Sequence, residues 1–250
     1  MDIRKIFALV KVQLKKLYRE PATLFLMIIF PLILTLFFGL GFKDIESATP
    51  GVSQFDVMVP GLYAFVCIFI IMTVAMTFSE DREHGLLRRL NTTPLTSGEF
   101  IGSHVLTNTL ISVLQVVIVV VLSFLWGYSG DIRGLGIAFV FMIFLSVCSV
   151  GLGLITATIA KSPGAATGIA FIFIMPQMFL GTYIVPATEA TAIISMFLPS
   201  AYVTDGITMI FDPSIPLTNP LIWIKLVTVV LISVVIVIIG ILLFKKYGNK

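Results

Sequence analysis

Few residues in this 250-residue chain could do covalent or metal chemistry, and their spacing withholds most of it. The two histidines, His84 and His104, have no second histidine at ligand spacing, so a metal centre is not expected. No serine sits in a G-x-S-x-G turn, which removes one common hydrolytic nucleophile. The carboxylates lie in flanks and loops, without the aspartate cluster that a membrane enzyme of lipid metabolism would use to hold a metal and a phosphate. No G-x-x-x-x-G-K-S/T loop is present, so the chain cannot cradle and split ATP by itself. Cys67 and Cys148 lie inside apolar runs and read as small buried side chains. The chemistry that remains is non-covalent: charge contacts, hydrogen bonds and apolar surfaces.

The elements that must position these groups are long and apolar. Hydrophobic residues make up 58% of the chain and charged ones 12%, against about 25% charged in soluble domains. Six runs reach the roughly 20 residues needed to cross hydrocarbon: 22–42, 57–78, 104–126, 135–160, 165–185 and 221–244. They are continuous rather than alternating, which predicts helices and not barrel strands. The first run is longer than a signal-peptide core and lacks a following A-x-A site, so cleavage is not expected. Residues 186–220 carry several prolines and a short apolar piece, 191–198, expected to form a re-entrant or external helix between spans five and six. The fold class expected is therefore an all-α polytopic membrane protein of six transmembrane helices.

Ahead of the first span, residues 2–20 predict an amphipathic helix lying in the membrane interface. Ile3, Ile6, Phe7, Val10, Leu14, Leu17 and Tyr18 fall on one third of the wheel; Arg4, Lys5, Lys11, Lys15, Lys16 and Arg19 fall opposite, toward anionic headgroups. Thirteen of the sixteen Lys and Arg residues lie on one side of the predicted topology, which places both termini in the cytoplasm.

The spans hold no acidic residue and one basic residue, Lys225 near an end, so a proton-driven pump is disfavoured. Gln115 and Gln177 are costly in lipid unless partnered. Each reads as a helix–helix hydrogen bonder or as a group facing a substrate path. Phe65, Phe69 and Phe173 read likewise as packing residues or as the lining of an apolar pathway. Gly164 and Gly168 form a G-x-x-x-G that would allow close helix approach.

The densest charge lies between spans two and three, in the segment 79–103. Glu80 and Glu83, then Arg88 and Arg89, can pair at helical spacing across Gly85. Thr92-Thr93-Pro94 breaks the helix, and Thr96 or Ser97 caps the next one. By composition alone this could be a solvated loop. The ordered set Glu80, Arg82, Glu83, Gly85, Leu87, Leu90, Thr93, Pro94, Leu95 and Glu99 resembles the permease signature of type-2 ATP-binding-cassette (ABC-2) exporters. The likeness continues through Pro176, Gly181, Pro186, Leu198-Pro199, Tyr202 and Gly206, and the amino-terminal helix is similar to the family's connecting helix. The chain departs from the pattern at His84, Leu86 and Ser103.

The resemblance implies one transmembrane domain over residues 1–250, acting as the permease subunit of an exporter in the plasma membrane. It implies that ATP and Mg bind a separate ATPase subunit and no cofactor binds this chain. The segment carrying Glu80, Arg82, Glu83, Gly85, Arg88, Arg89, Pro94 and Glu99 would contact that ATPase. A second permease copy would complete a homodimer in the lipid bilayer, moving an apolar or amphipathic drug, lipid or glycan-type substrate. No nucleic-acid partner is expected. A membrane enzyme or a non-transporting scaffold remains the alternative.

Overall fold

The computed structural model describes residues 3–47, 49, 51–83, 96–181 and 189–247. Among these the chain is helical with no strand, only an isolated bridge between Glu46 and Ser53. The helices are α1 (Ile3–Arg19), α2 (Pro21–Phe42), α3 (Gln54–Glu83), α4 (Ser97–Leu125), α5 (Leu135–Ile159), α6 (Pro163–Gly181), α7 (Glu189–Ser195), α8 (Pro199–Phe211) and α9 (Pro220–Tyr247). Five of them, α3, α4, α5, α6 and α9, are long and apolar enough to cross a membrane. The expected first span is α2, whose described apolar stretch is Met27–Phe42 and whose 22 residues reach about 33 Å.

The surface confirms the solvent. On α4, Leu110, Leu114, Val117, Val121 and Leu125 are all exposed, at three- to four-residue spacing. On α9, Val227, Leu231, Val234, Val235, Ile238 and Leu242 repeat the pattern. Apolar stripes of this length on an otherwise well-packed bundle belong against lipid. The chain is an all-α polytopic membrane protein.

Helix α3 is the hub. It packs against α5, α6, α4 and α8, and Val59, Tyr63, Ile68, Ile71 and Val74 along it are wholly buried. Lipid tails are as apolar as leucine, so this packing depends on close approach and not on escape from water. Glycines permit it. A Cβ on Gly153 would lie 2.7 Å from Val74 Cβ and 2.8 Å from the Ile71 carbonyl oxygen, so α5 meets α3 there. Gly151 does the same for α5 against Ile236 of α9. The G-x-x-x-G of α6 has another place: an added Cβ at Gly164 or Gly168 meets nothing within 4 Å, so that pair makes no close approach among the described residues.

Two departures concern the segment between spans five and six. The apolar piece expected at 191–198 is split, with α7 ending at Ser195. The longer helix α8, Pro199–Phe211, is a buried member of the bundle that the sequence reading did not separate. It seats Gly206 against the Phe141 ring, where a Cβ would approach to 2.7 Å. Its Asp205 pairs with Lys225 of α9 at 2.6 Å, and the Tyr202 ring centroid lies 5.9 Å from the same ammonium. The one basic residue of the predicted spans is thus neutralised inside the fold.

Replacing Gly153 by valine is expected to overpack the α3–α5 contact and destabilise the protein by about 1–3 kcal/mol. Gly164→Val should leave stability nearly unchanged. Thermal unfolding of the detergent-solubilised chain checks both; equal effects would contradict the packing described.

Candidate coupling cluster and apolar cavity

The last turn of α3 carries consecutive opposite charges. Because residues one apart on a helix point about 100° away from each other, Asp81 and Arg82 reach different neighbours. Asp81 Oδ1 accepts from Lys16 Nζ of α1 at 2.7 Å, and its Oδ2 lies 3.8 Å from His104 Nε2 of α4. Arg82 turns to α5. Its guanidinium donates to the carbonyl oxygens of Ala157 at 3.2 Å and Thr158 at 3.1 Å, and also to Ala160. These belong to the carboxyl-terminal turn and its cap, where helix carbonyls lack partners and the dipole is negative. One turn of α3 therefore fastens α1 and α5 and faces α4.

Helix α4 begins with a capping box. Glu99 N donates to Thr96 Oγ1 at 3.3 Å, and Thr96 N donates to Glu99 Oε2 at 2.9 Å. Thr96 is the cap, one of the two residues expected, and Glu99 is buried in that role. Of the other candidates in this segment, Glu80 is half-buried and Glu83 exposed in the last turn of α3. Gly85, Arg88, Arg89 and Pro94 lie outside the described residues.

Helix α1 has three faces where two were expected. Leu9, Gln13, Leu17 and Val10 turn toward the protein, and Gln13 Nε2 donates to Ser103 Oγ of α4 at 3.1 Å. Ile3, Phe7, Leu14 and Tyr18 are exposed and free to meet lipid, as the interfacial reading requires. Arg4, Lys11, Lys15 and Arg19 form the exposed basic face, while Lys5 and Lys16 are half-buried at its edge. Lys16 is thus turned to Asp81 and not to headgroups. Burial works to lower the Lys16 pKa, but the Asp81 hydrogen bond and the charges of Asp81, Glu20 and Glu80 outweigh it and raise the pKa above 10.5. The tie contributes in full below that free-lysine value and is lost only as pH climbs through the folded value.

The candidate path residues divide. Phe65 and Phe69 of α3 gather with Phe30 of α2, the Phe30 ring stacking on Phe69 at 4.5 Å and standing 6.2 Å from Phe65. Phe65 and Phe30, but not Phe69, border an apolar cavity of about 310 Å³ between α2, α3 and α6, with Phe179 on its far wall. Phe173 packs against the core instead. Gln177 is buried on α6, its Nε2 donating to the Phe173 carbonyl at 3.4 Å. Gln115 Nε2 donates at 2.6 Å to the carbonyl oxygen of Met27 on α2. That carbonyl is the one Pro31, four residues on and lacking an N–H, leaves unpaired. Both glutamines serve helix backbone; neither lines the cavity.

Asp81, Gln13 and Asp205 escaped the sequence reading as partners, and His104 was read as an interfacial residue without one. The signal available was Lys16 at the edge of the basic arc, where it can reach either headgroup or protein.

Comparisons with known proteins agree with this architecture. The sequence pattern of the family described as ABC-2 type transporter matches residues 4–211. The chain is 28% identical over 219 residues to a protein named as a transport permease, ycf38, from Porphyra purpurea, covering 84% of this chain and 75% of the relative. The corresponding protein of Pyropia yezoensis is 31% identical over 74% of this chain and 65% of the relative. A protein named as a multidrug ABC transporter permease, YbhR, of Escherichia coli K12 is 26% identical over 131 residues, covering 52% of this chain and 35% of the relative.

Gln115→Leu is expected to cost about 1–3 kcal/mol by orphaning the Met27 carbonyl. Adding Pro31→Ala returns an N–H four residues on and should recover most of the loss, read as thermal unfolding in a double-mutant cycle. Arg82→Met should cost a similar amount and speed amide exchange at the end of α5, with Arg82→Lys intermediate. With its pattern matched over most of its length, the chain belongs to the ABC-2 type transporter family.

Proposed function

We propose that the chain is the permease subunit of an ATP-driven exporter, in the plasma membrane with both termini cytoplasmic. A separate ATPase that binds ATP and Mg supplies the energy, and two permease copies form a homodimer. The observation that carries this reading is the Asp81–Arg82 turn. It lies immediately ahead of the charged segment through Arg88 and Arg89, and it is bonded to α1 and α5 and faces His104 of α4. A force applied by a soluble partner to that segment would pull on α1 and α5 together. A charged segment that follows directly on a turn held in this way suits transmission better than it suits a passive linker.

The 310 Å³ cavity supports an apolar or amphipathic cargo. It lies at the lower end of the range of about 300–1,000 Å³ for small-molecule sites. Its walls are residues of α2, α3 and α6, with four phenylalanines and no charge. Motion of α3 relative to α6 would open or close it.

Affinity purification of the chain from its own cells should bring down a protein bearing a G-x-x-x-x-G-K-S/T loop. Vesicles reconstituted with the pair should move an amphipathic dye only when ATP is present. Glu83→Ala with Arg88→Ala should lower ATP-dependent dye movement at least tenfold. Unchanged coupling and unchanged association with the ATPase would remove the role assigned to the segment.

A further inference from the structure

Beneath α1, where it crosses α3 and α4, lies a cleft of about 50 Å³ with unfilled hydrogen-bonding capacity. It has room for a few water-sized groups, and is far smaller than a drug-sized pocket. Gln13 Nε2 is committed to Ser103, which leaves Gln13 Oε1 buried without a partner. His104 Nε2 and Thr107 Oγ1, on side chains only 3% exposed, are also buried without partners. Asp81 spends Oδ1 on Lys16, and the gap from its Oδ2 to His104 Nε2 is too long for a hydrogen bond. The imidazole is hemmed in by Phe100 and Phe78, whose ring centroids lie 4.6 and 5.0 Å away.

Two of these atoms, Gln13 Oε1 and Asp81 Oδ2, can only accept. A group that fits between them is therefore a donor. The cleft walls carry two carboxylates, Asp81 and Glu20, against the single ammonium of Lys16. That balance repels an anion and favours a second cation. Leu17, Met27 and Ile111 supply the remaining apolar wall. Next to the cleft, the exposed face of α1 bearing Leu14 and Tyr18 is turned toward lipid.

We propose that this cleft binds the primary ammonium headgroup of an amphipathic molecule, with Asp81 Oδ2, Gln13 Oε1 and His104 Nε2 accepting its three N–H groups. The chain of the molecule runs past Leu17 and Met27 into the bilayer. The site deepens the export reading by naming the head of the cargo and rests on that reading for the word cargo; the binding itself does not. The same chemistry occurs in an amphipathic amine and in the ethanolamine headgroup of a lipid.

Dodecylamine and dodecanol, of equal chain length, are titrated into the full chain in phosphatidylcholine nanodiscs and followed by calorimetry. Dodecylamine should bind saturably and at least tenfold more tightly than dodecanol. Gln13→Leu with Thr107→Val, which leaves the Lys16–Asp81 pair intact, should weaken dodecylamine about tenfold without changing elution profile or thermal unfolding. Equal binding of the two probes, or unaltered binding by the double variant, would mean that the cleft holds only water and would overturn the proposal. Nanodiscs containing phosphatidylethanolamine separate the sources. Competition with dodecylamine assigns the site to a lipid, and no competition assigns it to a free amine. Binding without ATP-dependent movement of dodecylamine in the reconstituted pair would leave the site standing and remove its place in export.

Discussion

A charged pair on adjacent residues of one helix turn must find partners on different sides, and the arrangement of the whole bundle end follows from where Asp81 and Arg82 find them. Arg82 ends α5 by taking its terminal carbonyls, and Asp81 holds α1 down and faces α4. Either charge left alone near lipid would cost several kcal/mol. The interfacial helix, the hub helix and the two helices after it therefore meet at one turn.

The same constraint governs the interior, where no water is at hand. Pro31 frees the Met27 carbonyl and Gln115 of another helix satisfies it. Ser112 and Ser146 pair across α4 and α5 at 2.7 Å. Thr204 of α8 donates to the carbonyl of Gly181 at the end of α6. These polar side chains of the spans each serve a backbone or another polar group, and the phenylalanine-lined space between α2, α3 and α6 is lined by no charged residue. An apolar cavity lies toward one end of α3 and a polar clamp holds the other.

Much of this was legible in the sequence. The spans follow from run length alone, because hydrocarbon thickness sets a narrow requirement that Val57 to Phe78 or Leu221 to Phe244 meet plainly. The α4 cap at Thr96 and the gathering of Phe65 and Phe69 also follow from local pattern. Helix α8 did not show, since its seven-residue neighbour and its own glycine, proline and aspartate break the apolar run, and contacts such as those with Phe141 and Lys225 make it a bundle member. The third face of α1 was hidden for a related reason. A lysine at the edge of a basic arc can snorkel to headgroups or reach an acid 65 residues away, and periodicity alone does not choose. Glu99 and Arg82 carried the family resemblance as charges, yet their bonds are to helix ends within the chain.

The central claim is that α1 and the end of α3 move as one body under the ATPase. Electron–electron spin distances between labels at Lys11→Cys on α1 and Met76→Cys on α3, with Cys67 and Cys148 replaced by serine, test it in the reconstituted complex. The account predicts the same distance distribution without nucleotide and with trapped ATP, while a second pair across the cavity, Met58→Cys on α3 with Phe179→Cys on α6, shifts. A change between α1 and α3 with an unmoved cavity pair would contradict it.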